Sequence, residues 1–148
     1  MSKKAFILIT IASISLLGLS ACLGIGLIDV AGTWSGYITW TSGPASGFDS
    51  PLTLVLEQEE KSTEITGAVG LTAGTEQFSI PITEGIAGNG VFTVTATGQA
   101  SIAGQDMVIS VVLEGQRNGD VLTGTGTQTN DGAPYTFDWS AAMQASAQ

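Results

Sequence analysis

QDMVISVVLEGQRNGDVLTGTGTQ, residues 105–128, holds two runs of alternating side chains joined by a turn. Met107, Ile109, Val111 and Leu113 share one parity, and Asp106, Ser110 and Glu114 the other. Past Asn118-Gly119, Leu122, Gly124 and Gly126 oppose Thr123, Thr125 and Thr127. Successive side chains of an extended chain point to opposite faces, so each run has one greasy and one wet face. The glycine after Asn118 provides the positive φ that tight hairpins need. An antiparallel pair over 105–116 and 119–128 follows.

The same period continues in both directions. Strands are predicted at 32–41, 51–59, 63–71, 76–86, 90–97 and 134–142 besides the central pair. Trp34, Ile38 and Trp40 oppose Thr33, Ser35 and Thr39; Leu52, Leu54 and Leu56 oppose Thr53 and Glu57. Ile65, Val69 and Leu71, then Phe78, Ile80 and Ile82, then Phe92, Val94 and Ala96, continue the apolar parity. Tyr135, Phe137 and Trp139 complete it. Gly88-Asn89-Gly90 suits a tight hairpin and Asn130-Asp131-Gly132 a slightly longer turn. The prediction is an all-β domain, an eight-stranded antiparallel up-and-down meander closing as a barrel, with a two-sheet β-sandwich as the alternative. Pro81 has no N–H to give a ladder, so a bulge or an unpaired stretch is expected there.

Composition narrows the function classes. With 13 acidic side chains against 4 basic ones, the chain carries a formal charge of −9, which disfavours nucleic acid as a partner. It contains no histidine, so a Ser-His-Asp triad and the usual zinc ligand sets are absent, and no catalytic residue, metal or cofactor is expected. Glu57, Glu59, Glu60 and Glu64 flank a predicted hairpin without the EF-hand spacing, and read as a solvated turn.

The N-terminus reads as a targeting segment. Lys3 and Lys4 precede the uncharged run Ala5 to Leu19, and the small residues Ser20 and Ala21 follow, the three parts of a signal peptide. The chain's one cysteine comes next. Leu19-Ser20-Ala21-Cys22 resembles the lipobox of bacterial lipoproteins. That resemblance implies cleavage before Cys22, a thioether-linked diacylglycerol on its sulfur, and a further acyl chain, such as palmitate, on the new amino group. Two or more acyl chains make a stable membrane anchor. The apolar run continues to Ile28, so an uncleaved transmembrane helix is the other reading, and plain secretion a third. The resemblance places the domain in the cell envelope. With Leu23 rather than Asp after the cysteine, the resemblance implies the outer membrane in a cell that has one. Residues 1–21 are thus read as signal peptide, 22–31 as lipidated N-terminus and short linker, 32–144 as barrel, and 145–148 as a disordered tail.

Gly32-Thr33-Trp34 resembles the G-x-W motif on the first strand of lipocalin-like barrels. In that family the Trp plugs the closed end and an Arg from the last strand packs over it; the last strand here, around Trp139-Ser140-Ala141, has no Arg. Connections away from Trp34, namely 42–50, 72–75, 98–104 and 129–133, are expected to be longer than those near it, marking an open rim where ligands enter. Inward residues near that rim, the expected ligand contacts, are Trp40, Leu52, Leu71, Phe78, Met107 and Tyr135. Gly36, Gly67, Gly124 and Gly126 are expected to leave room inside unless the aromatic side chains fill it. Two functions follow: a tethered, non-catalytic barrel holding a small apolar ligand, or an assembly module of the envelope binding a protein partner. The latter would use the outward Val55, Val91, Val108 and Val112.

Overall fold

The structure, a computed structural model, describes residues 27–146. The signal segment, Cys22 and the last two residues lie outside that range. Eight strands follow in order: β1 (Gly32–Trp40), β2 (Asp49–Glu57), β3 (Thr66–Ala73), β4 (Glu76–Gly88), β5 (Val91–Ile102), β6 (Gln105–Asn118), β7 (Val121–Asn130) and β8 (Ala133–Met143). Each pairs antiparallel with the next, and β8 returns to β1 with Ile38 opposite Trp139, so the meander closes into a barrel and not a sandwich.

The parity predicted from sequence is the inside–outside division of the wall. Trp34, Ile38, Leu54, Leu56, Ile65, Val69, Phe92, Val94, Val111, Leu113, Leu122 and Phe137 are buried in one core. Burial of this kind contributes about 25 cal/mol per Å² of apolar surface and supplies the main drive to close the sheet. Two edge-to-face aromatic pairs stack through it, Trp40 with Phe137 at 5.3 Å between centroids and Phe92 with Trp139 at 6.0 Å.

Several glycines serve packing rather than open space. A Cβ at Gly126 would enter the ring of Phe137, and one at Gly115 would lie 2.6 Å from Trp139 Cζ2. At Gly36, Gly67 and Gly124 it would strike the backbone oxygens of Ser140, Val55 and Glu114. The volume these residues give up is occupied by neighbouring rings or strands, so they leave no room for a ligand.

Loop lengths differ from expectation. Five connections are two-residue turns: Gly74-Thr75, Asn89-Gly90, Ala103-Gly104, Gly119-Asp120 and Asp131-Gly132. Only 41–48 at one end and 58–65 at the other are longer. Residues 98–102 and 129–130 extend β5 and β7, although their small polar composition resembles loop. Loop length therefore does not distinguish the two ends.

Pro81 sits opposite Ala68 on β3. The β4–β5 ladder begins only at Ile82 opposite Ala96, and its register shifts between Ile82 and Glu84. Above that point 76–81 pairs with β3 alone and 97–102 with β6 alone, so the wall has an unzipped seam beside one mouth. The missing N–H of Pro81 falls where the ladder stops, and the bulge follows it by two residues.

Candidate functional site

The two mouths of the barrel are built differently. At the Trp34 end the chain seals itself. Val30 is fully buried, and its carbonyl accepts a hydrogen bond from Trp34 Nε1 at 2.9 Å. Gln58 holds the same segment with both halves of its amide: Oε1 accepts from Val30 N, and Nε2 donates to the carbonyls of Ile28 and Ser62. Arg117, at the end of β6, spreads over the Trp34 ring and donates from Nη1 to Asp29 O at 2.6 Å. Residues 27–31, expected as a linker, are thus packed into the closed end. The arginine over the tryptophan comes from β6 and not from the last strand.

The opposite mouth is open and leads into a cup of about 380 Å³. Of the six expected contacts, Trp40, Leu71, Phe78, Met107 and Tyr135 line it. Leu52 does not: it is fully buried, and Ser50 and Pro51, nearer the mouth on β2, take its place in the lining. Ile38, Ile102, Gln128 and Asn130 line it too, and Pro44 and Ala45 border it from the 41–48 connection. Gln128 and Asn130 continue the parity of Leu122, Gly124 and Gly126 along β7, a signal that the turn-like sequence around Asn130-Asp131-Gly132 obscured.

The 41–48 connection is held to the wall by its backbone. Gly47 N donates to Trp40 O, Trp40 N to Phe48 O, and Thr41 N to Thr136 O. Tyr135 packs on Gly43, whose φ of 80° and missing Cβ admit the ring. Trp40 Nε1 is fixed by Ser50 Oγ at 3.0 Å. The apolar walls of the cup are therefore braced from behind.

The charged side chains of the described residues stay out of the cup. Glu57, Glu59, Glu60 and Glu64 are exposed around the closed-end connection, and Asp138 faces solvent on the outer wall. Among the described residues no three of His, Cys, Asp and Glu gather as metal ligands would. One outward valine stands apart: Val55 lies on β2 opposite Thr33 and Ala68, whereas Val91, Val108 and Val112 lie on the adjacent strands β5 and β6, with Val112 half-buried. No protein-family model, curated protein or solved structure matches this chain.

Proposed function

We propose that the chain is a non-catalytic lipoprotein of the bacterial envelope that holds a small apolar molecule in its cup. The cup itself carries the reading. Grooves of 350–430 Å³ on the outer wall match its 380 Å³, and what sets it apart is its place inside the open mouth and its mostly apolar lining. Among the described residues neither a carboxylate nor a basic side chain lines it, so its hydroxyls have no general base beside them.

The anchor rests on Leu19-Ser20-Ala21-Cys22 and the signal-like segment before it. Leu27 follows Cys22 by five residues, a tether of at most about 18 Å when extended. Because Val30 plugs the closed end, a lipid on Cys22 would hold that end to the membrane and turn the cup away from it. The membrane is the outer one where a cell has two. The assembly reading has less support, since Val55 on β2 lies apart from the other three outward valines and Val112 is half-buried.

Native mass spectrometry of the protein extracted from its own envelope tests the ligand. The expected spectrum shows the protein carrying one small molecule, lost when Met107→Trp fills the cup while the β-sheet circular dichroism stays unchanged. Bare protein in both cases would refute the reading. For the anchor, radiolabelled palmitate should enter the wild type and not Cys22→Ser; equal labelling would refute it.

A further inference from the structure

Gln128 is the one buried polar side chain among the described residues, 7% exposed, and it lines the cup. Its Nε2 donates to Asn130 Oδ1 at 2.9 Å. Its Oε1 accepts no bond from the described residues. Among the described residues no fully enclosed side-chain nitrogen or oxygen lacks a partner, so this oxygen touches the open space of the cup. Asn130 Nδ2 is equally uncommitted. Turning both amides over exchanges the two roles and still leaves one acceptor and one donor facing the cavity. A polar atom withdrawn from bulk water in this way is costly unless something bonds to it.

The surroundings select the charge of whatever bonds there. Ile38, Trp40, Leu71, Phe78, Ile102 and Met107 are apolar. The turns around the mouth bring Asp49, Glu76, Asp106 and Asp131. The only two cations among the described residues, Lys61 and Arg117, lie at the sealed end. An anionic head would meet an amide and an acidic rim with no counter-charge. An ammonium would be drawn to the acidic rim, but inside the cup it would exchange its water shell for one amide acceptor and the hydroxyls of Ser42, Ser50 and Thr72, with no counter-charge in the lining.

We propose, building on the reading of the cup as a ligand site, that the ligand is an uncharged amphiphile docked by one polar end on Gln128 and Asn130. That end carries both a donor and an acceptor, as a carboxamide or hydroxyl does. With about 30 Å³, one water's share of the liquid, taken for each non-hydrogen atom, the cup of 380 Å³ admits about a dozen.

Three eight-carbon probes and one without a polar end test this on the full chain, kept soluble in an amphipathic polymer and followed by tryptophan fluorescence at pH 7. Octanamide should bind at least about tenfold tighter than octanoate or octylammonium, and Gln128→Leu should weaken it about tenfold. Naphthalene should bind the wild type and Gln128→Leu alike, which also verifies that the variant keeps its cup. If naphthalene binds but octanoate or octylammonium matches octanamide, or if Gln128→Leu leaves octanamide unaffected, the proposal is overturned and the cup reading stands. If naphthalene fails to bind the wild type, both fall.

Discussion

The guanidinium carbon of Arg117 lies 5.3 Å from the centroid of the Trp34 ring. The same side chain donates from Nε to Gly119 O at 2.7 Å and from Nη1 to Asp29 O at 2.6 Å. One residue thus clamps the β6–β7 turn, the first tryptophan and the segment that plugs the closed mouth. Its 3.9 Å contact with the exposed Asp120 adds little, because surface ion pairs are screened.

Arg117→Met should therefore lower stability by about 1–3 kcal/mol, combining the lost cation–π contact with the lost hydrogen bonds. Arg117→Lys should recover less than half of that, since an ammonium cannot reproduce the planar fork. Urea midpoints measure both. An Arg117→Met midpoint equal to wild type would show that the plug does not depend on the clamp.

Crowding at the glycines gives a second contrast. Gly126→Ala pushes a methyl into Phe137 and should cost about 1–3 kcal/mol. Gly88→Ala has no neighbour within 4 Å and should stay within about 0.5 kcal/mol of wild type. Thermal unfolding of the two variants should separate them; equal melting temperatures would mean that the Phe137 ring has slack the structure does not show.

Ala103 occupies the left-handed region at φ 53° in the two-residue turn before Gly104. Alanine is disfavoured there by about 1 kcal/mol, whereas asparagine tolerates it. Ala103→Asn should raise stability by about 0.5–1 kcal/mol, read as a higher urea midpoint. A lower midpoint would place this turn in a different class.

The unzipped seam has its own signature. Amides of 97–102 that point toward β4 have no ladder partner, unlike those of Val91–Ala96 that face the same strand. Hydrogen exchange should be fast at the former and slow at the latter. Uniform protection along β5 would mean that the ladder continues past Pro81.

Much of this was legible in the sequence because a half-buried strand writes its orientation into every second residue. Leu52, Leu54 and Leu56 or Phe92, Val94 and Ala96 needed no structure to be placed inside. What stayed hidden depended on partners distant in sequence. Nothing in Arg117-Asn118-Gly119 says that this turn ends beside Trp34, because that follows from the register of the whole wall. The strand ends at Gly98–Ile102 and Gln128–Asn130 are built from small or polar residues, which propensity assigns to loops and ladder pairing with β6 assigns to strands. Gln128 is hidden in the sequence for that reason, although its parity points inward.

The chain's three tryptophans mark different levels of the barrel: Trp40 at the cup, Trp139 within the packed wall and Trp34 at the sealed end. Each indole N–H has a defined acceptor, Ser50 Oγ, Thr125 O and Val30 O respectively. Titrating the protein with octanamide and following the three indole signals by nuclear magnetic resonance asks directly whether one end is open and the other closed. A saturable shift at Trp40, with Trp34 unmoved, is the expected result. A shift at Trp34, or none at Trp40 on saturation, would contradict it.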